Sequence, residues 1–136
     1  MIFDQVNKIL SNTTKNDLVI ISNTVFYQFQ TNVKINGQIL KDCQNENPID
    51  LLSDCFDFIN SLNIDRIIAI GGGSIMDLAK ILSSTSSLDD ISNNVTSKKY
   101  HLTVVPTTFA TGSETSAGAI YKSVEGIKQA VRGEEI

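Results

Sequence analysis

Apolar positions along the chain fall into two kinds of pattern. Phe3, Val6, Ile9 and Leu10 recur at helical spacing and Ser11 to Asp17 is polar and turn-rich, so a short amphipathic helix is expected to open the chain. Leu18-Val19-Ile20-Ile21 is instead a continuous apolar run, the pattern of a strand buried on both faces of a parallel sheet. Asn23 stands where it can cap a second short helix with Val25, Phe26, Phe29 and Val33 on one face. Gly37 and a brief strand around Gln38 to Leu40 follow, which completes a βαβ unit.

The polar stretch Asp42 to Asn47 leads to Pro48, which is tolerated in the first turn of a helix, and Leu51, Leu52, Cys55, Phe58, Ile59 and Leu62 supply that helix with an apolar stripe. Arg66-Ile67-Ile68-Ala69-Ile70 is a second buried-strand signal. It runs directly into Gly71-Gly72-Gly73-Ser74, after which Ile75, Leu78, Ala79 and Leu82 resume helical spacing. Ser83 to Lys99, rich in Ser, Asn and Asp, reads as loop with a helical turn anchored by Leu88 and Ile91. Leu102 to Val105 is a further strand, stopped by Pro106. Thr107 to Glu114 is small and polar, and Ala117 to Tyr121 pairs with Gly126 to Val131 as an antiparallel hairpin. The expected fold class is α/β: a Rossmann-like, mostly parallel sheet with flanking helices and a terminal β-hairpin, in a single domain over residues 1–136.

Composition narrows the function. A chain of 136 residues, 41% hydrophobic and 19% charged, is large enough for a core. Eleven Lys plus Arg against fifteen Asp plus Glu give a net charge of −4, and the only tight basic pair is Lys98-Lys99, which argues against a nucleic-acid partner. No run approaches the roughly 18 to 20 apolar residues of a membrane helix, and the first residues lack the basic start of a signal peptide, so a cytoplasmic protein without a membrane partner is expected. Cys43 and Cys55 lie outside any CxxC arrangement and read as reduced thiols. His101, the sole histidine, has no recognisable partner and reads as a strand-edge or packing residue.

Three glycines after a strand let the backbone turn tightly and approach a ligand, because no Cβ shields the peptide N–H groups from an anion. Ser74 stands at the expected N-cap and Asp77 three residues on, the arrangement of a capping box, and the helix they start would present its positive end to a phosphate. Glycine turns before capped helices also occur without any ligand, so the local pattern leaves both readings open. A Walker A loop is excluded, since its glycine-lysine-serine/threonine ending is absent and Met76 and Asp77 occupy those positions. The usual dinucleotide fingerprint is imperfect, with Met76 at its third glycine and no strand ending at Asp89-Asp90.

Two segments taken together, Gly71-Gly72-Gly73-Ser74-Ile75-Met76-Asp77-Leu78-Ala79-Lys80 and Pro106-Thr107-Thr108-Phe109-Ala110-Thr111-Gly112-Ser113-Glu114, resemble the two signatures of iron-containing alcohol dehydrogenases. The first is shared with relatives such as glycerol dehydrogenases; the second is more particular to the alcohol dehydrogenase branch, which weakens a polyol reading. The resemblance covers roughly residues 2 to 136, with a shortened helix after Asn23. It implies a cofactor, NAD or NADP, at the turn Gly71 to Ser74 and at Asp77, with Gly72, Gly73 and Ser74 on the pyrophosphate and Thr107, Thr108 and Thr111 along adenosine and ribose. Asn23 matches the place where the family often has a ribose-binding Asp, which leaves the choice of cofactor open. Lys128 aligns with a family lysine near the cofactor, or is a solvated hairpin lysine. Ala110 departs from the family's usual glycine by one methyl.

The resemblance further implies a divalent metal, iron or zinc, held by an Asp and several His of a helical domain that follows this region; with one histidine, that metal-binding domain is expected to be absent from this truncated chain. The expected function is the NAD(P)-binding N-terminal part of an enzyme that moves a hydride between NAD(P)H and a small alcohol or aldehyde, inactive by itself. The alternative is a stand-alone, non-catalytic nucleotide-binding or interaction module. A homo-oligomer stays open under either reading.

Overall fold

The structure, a computed structural model, describes residues 2–23, 25–26, 38–40, 47–106 and 118–132. Its centre is a four-stranded sheet of β1 (Asp17–Ile21), β2 (Gln38–Leu40), β3 (Arg66–Gly71) and β4 (His101–Pro106), in the order β2-β1-β3-β4. Every pairing in it is parallel. Helices α1 (Ile2–Ser11), α2 (Ile49–Asn60), α3 (Gly73–Ser84) and α4 (Leu88–Ser92) flank it, and β5 (Gly118–Lys122) with β6 (Lys128–Arg132) forms a separate antiparallel hairpin. This is the Rossmann-like architecture expected from the apolar runs.

The two runs without polar interruption became the two central strands because both of their faces are covered. Leu18 and Ile20 of β1, with Ile67 and Ala69 of β3, enter a core shared with α2, α3, α4 and the hairpin. The alternate residues Val19, Ile21, Ile68 and Ile70 point to the other face, where Val6 and Leu10 of α1 and Val25 meet them. All eight strand residues are fully buried, and each large aliphatic among them contributes on the order of 1.5–3 kcal/mol relative to exposure. On α2 the fully covered positions are Leu52, Cys55, Phe56 and Ile59, while Leu51, Phe58 and Leu62 pack partly against the same core.

Two local expectations are corrected. Asn23 does not cap the helix after β1: Ser22 Oγ accepts from the Val25 N–H at 3.3 Å, and Asn23 is already helical and exposed. A serine hydroxyl one residue earlier reaches the third amide of the helix, as a cap can. The hairpin is shifted by about one residue, its turn at Ser123–Ile127 closed by Gly126 at φ 81°. Residues 27–37, which include the expected helix positions Phe29 and Val33, lie outside the described residues, as does Cys43.

The amino ends of β1 and β3 are joined by an ion pair. Asp17 and Arg66 are opposite each other in register, and the Asp17 carboxylate accepts from Arg66 Nε at 3.0 Å, from Arg66 Nη2 at 2.8 Å and from the Thr14 N–H at 2.8 Å. Burial alone would raise the Asp17 pKa, but the bonds from Arg66 and the Thr14 amide outweigh it and hold the carboxyl below its ordinary value of 3.8. A depressed carboxyl stabilises the fold above that ordinary value, and its contribution is lost as pH falls through the depressed one. Asp17→Asn is therefore expected to cost roughly 1–3 kcal/mol in urea unfolding near neutral pH. The gap to the unaltered protein should close as the pH drops below about 4. A gap that widens with acidity would show that the pair does not carry this stability.

Candidate functional site

At the carboxyl edge of the sheet, β3 ends on Gly71 and β4 on Pro106, and these two residues face each other as the last pair of the ladder. The two signatures are far apart in sequence, yet their first residues stand side by side. Gly71 is a packing glycine. A Cβ built on it would lie 2.7 Å from Ile75 Cγ1 and 2.9 Å from Ile75 Cβ, so only a residue without one lets α3 turn back so closely onto its own strand.

Gly72 is the N-cap of α3, with φ −88° and ψ −164°, and no side chain caps this end. The first bond of the helix runs from the Met76 N–H to the Gly72 carbonyl at 3.1 Å. Helix geometry leaves the N–H groups of Gly73, Ser74 and Ile75 without an acceptor inside the helix, and the dipole places partial positive charge there. The expected capping box is thus overturned: Ser74 lies within the first turn, beyond the capping position. Asp77 is 7% exposed and its carboxylate accepts from the Ile120 N–H of β5 at 3.3 Å. The pattern expected at Ser74 and Asp77 is realised instead at α4, where Ser87 Oγ accepts from the Asp90 N–H at 3.3 Å and Asp90 Oδ2 from the Ser86 N–H at 2.9 Å.

One participant was invisible as a site residue in the sequence. Asn47, 1% exposed and at φ 49°, donates from Nδ2 to the Ser74 carbonyl at 3.0 Å and to the Ile120 carbonyl at 3.2 Å. Its own carbonyl accepts from the Lys122 N–H at 3.1 Å. The available signal was the Asn47-Pro48 pair, a turn-initiating dipeptide whose Asn tolerates a left-handed backbone. Lys80 also lies deep in the structure, 3% exposed, because α3 is covered from Ile75 to Ser84 by the sheet, neighbouring helices and hairpin.

The model of the iron-containing alcohol dehydrogenase family matches residues 2–136. The chain belongs to that family. A 4-hydroxybutyrate dehydrogenase of Clostridium kluyveri is 42% identical over 69 residues, which span 48% of this chain and 19% of the relative. Its counterpart from Cupriavidus necator is 38% identical over 74 residues and is likewise covered to 19%. Among solved structures, an iron-containing alcohol dehydrogenase from Thermotoga maritima superposes with a TM-score of 0.73 at 20% identity, covering 96% of this chain and 41% of that one. A sulfoacetaldehyde reductase from Bifidobacterium kashiwanohense, solved in complex with NAD+, gives 0.73 at 18% identity over 96% of this chain and 38% of its own. The chain therefore spans about two fifths of these structures and a fifth of the curated dehydrogenases.

Of the other positions that the iron-containing alcohol dehydrogenase pattern picks out, Asn23 and Lys128 fall among the described residues. Asn23 is exposed, two residues past the end of β1 and so at the same edge of the sheet as the glycine turn. Lys128 opens β6 opposite Lys122 and is exposed. Thr107, Thr108 and Thr111 lie outside the described residues. His101 is exposed at the start of β4, at the opposite edge, paired with Arg66.

The contact at Gly71 is directly testable. Gly71→Ala should destabilise the fold by about 1–3 kcal/mol through overpacking. In the Gly71→Ala, Ile75→Ala double variant, losing the Ile75 branches should recover part of that cost, so the two effects sum to more than the double variant loses. Strict additivity in chemical unfolding would mean that α3 can move off its strand freely.

Proposed function

We propose that this chain is the NAD(P)-binding part of a metal-dependent dehydrogenase that moves a hydride between NAD(P)H and an alcohol or aldehyde. The observation that supports this best is the terminal pairing of Gly71 with Pro106, which brings the starts of both signatures to one edge of an open parallel sheet. That edge is where such sheets bind ligands, outside the carboxyl ends of their strands. The amides of Gly73 and Ser74, at the positive end of a twelve-residue helix, suit a pyrophosphate, with Gly72 allowing it to approach the backbone. Hydroxyls at Thr107, Thr108 and Thr111 both donate and accept, as the sugar of a nucleotide requires. Asn23, at the same edge, would lie toward the adenine ribose; an amide there does not repel a 2′-phosphate, so NAD and NADP are both admitted. Lys128 would approach the cofactor from the hairpin.

When bound, the nicotinamide supplies the hydride chemistry; the residues of this chain bind and orient. A divalent metal, iron or zinc, does not fit the residues available: the chain has one histidine, and among the described residues no three or more His, Cys, Asp or Glu are grouped to hold an ion. In this reading the metal and the substrate alcohol, of which 4-hydroxybutyrate is the example named by the curated relatives, are held by residues outside this sequence. The 136 residues alone then bind nucleotide without turning over substrate.

Calorimetric titration with NAD and with ADP-ribose is expected to give about equal affinities, since the groups supplied here meet the shared phosphates and adenosine. Gly72→Val, which sets a branched side chain against the pyrophosphate, should abolish both. No alcohol oxidation is expected with added iron or zinc. Turnover by the isolated chain, or NAD binding far tighter than ADP-ribose, would show that these residues complete an active site.

A further inference from the structure

The peptide of Ile120 is held at both of its polar ends by side chains from elsewhere in the fold: its N–H by Asp77 of α3 at 3.3 Å and its carbonyl by Asn47 at 3.2 Å. Asn47 uses the second hydrogen of the same amide on the carbonyl of Ser74 at 3.0 Å, inside the first turn of α3. A single buried nitrogen thus bridges the glycine-turn helix to the hairpin, and the Asn47 backbone carbonyl adds a third tie through the Lys122 N–H at 3.1 Å. These groups occupy the edge of β5 that faces away from β6.

The cost of this arrangement is visible. Asn47 Oδ1 is buried with no hydrogen-bond partner, a loss that native structures rarely leave without a purpose, and the residue sits at φ 49°, a conformation disfavoured for residues with a Cβ. Aspartate would match the backbone and the shape, but its carboxylate would set an acceptor against two carbonyl oxygens. Only an amide offers two hydrogens from one atom at this size.

We propose that Asn47 is a positioning residue for the nucleotide site: by fastening the first turn of α3 to the hairpin, it holds the amides after Gly72 in the orientation that receives the pyrophosphate, without touching the ligand itself. This rests on the nucleotide-binding reading above. Binding to a helix N-terminus depends on where those amides point, so freeing the turn lowers affinity in the folded protein, beyond any effect on stability.

The test uses Asn47→Gly in the full 136-residue chain, since glycine keeps the left-handed backbone and removes only the side chain. ADP-ribose affinity should fall roughly tenfold at a temperature where circular dichroism shows the variant folded, and amide exchange at Met76, whose N–H closes the first turn of α3, should accelerate. Arg66→Lys, at the opposite edge of the sheet, should lower the melting temperature yet leave the affinity unchanged. Should Asn47→Gly fail to fold, Asn47→Asp carries the same measurement and should weaken binding at least as much. Unchanged affinity and unchanged Met76 exchange would overturn the positioning role while the nucleotide reading stands. Absence of ADP-ribose binding by the unaltered chain would instead overturn the nucleotide reading, and faster Met76 exchange in the variant would then support the fastening alone.

Discussion

Strands β1 and β3 are apolar at every interior position, and a strand of that kind cannot leave either face in water. The other elements follow from this requirement. Helix α1 and the residues after Ser22 cover one face; α2, α3, α4 and the hairpin cover the other. With both faces and the long sides of β1 and β3 occupied, polar chemistry is confined to the two ends of the strands. These ends are built differently. The amino end is closed by the forked bonding of Arg66 to Asp17, whereas the carboxyl end carries glycine and the start of a helix whose N-cap, Gly72, makes no side-chain cap bond.

Much of this architecture was legible because burial on both faces leaves a plain trace: Leu18 to Ile21 and Arg66 to Ile70 contain no polar residue after the first position. The direction of α3 was legible for a similar reason, since three glycines between a strand and a helical period leave little else to build. The hairpin could be read from alternation, Ala119 and Tyr121 inward with Ile120 outward. The capping of α3 was not legible. Ser74-x-x-Asp77 and Ser87-x-x-Asp90 are the same pattern, and what separates them is tertiary. A strand amide of the hairpin bonds Asp77, while Asp90 accepts from the Ser86 N–H at the start of its own helix. A local rule settles a side chain only where no distant partner outbids it.

Asn47 illustrates the harder limit. Its role depends on Ser74 and Ile120, which lie 27 and 73 residues away, so no window along the chain contains the interaction. The two non-glycine residues with positive φ among the described residues, Asn47 and Asn94, both hold the hairpin: Asn47 from the β5 side, and Asn94 through the Arg132 N–H at 2.7 Å from the β6 side. The hairpin is therefore tied at both margins, by Asn47 and Asp77 along β5 and by Asn94 along β6, rather than by joining the main sheet.

The last rung of the β3–β4 ladder pairs a glycine with a proline. The His101 N–H donates to the Asp65 carbonyl at 3.1 Å, so in this parallel register alternate residues from His101 turn their amides to β3, and Pro106, which has no amide hydrogen, has its nitrogen on the other side of the strand. An imino acid at this place therefore costs the β3–β4 ladder nothing, while along the outer margin of β4, unpaired among the described residues, it leaves one position at which an incoming strand would find no donor.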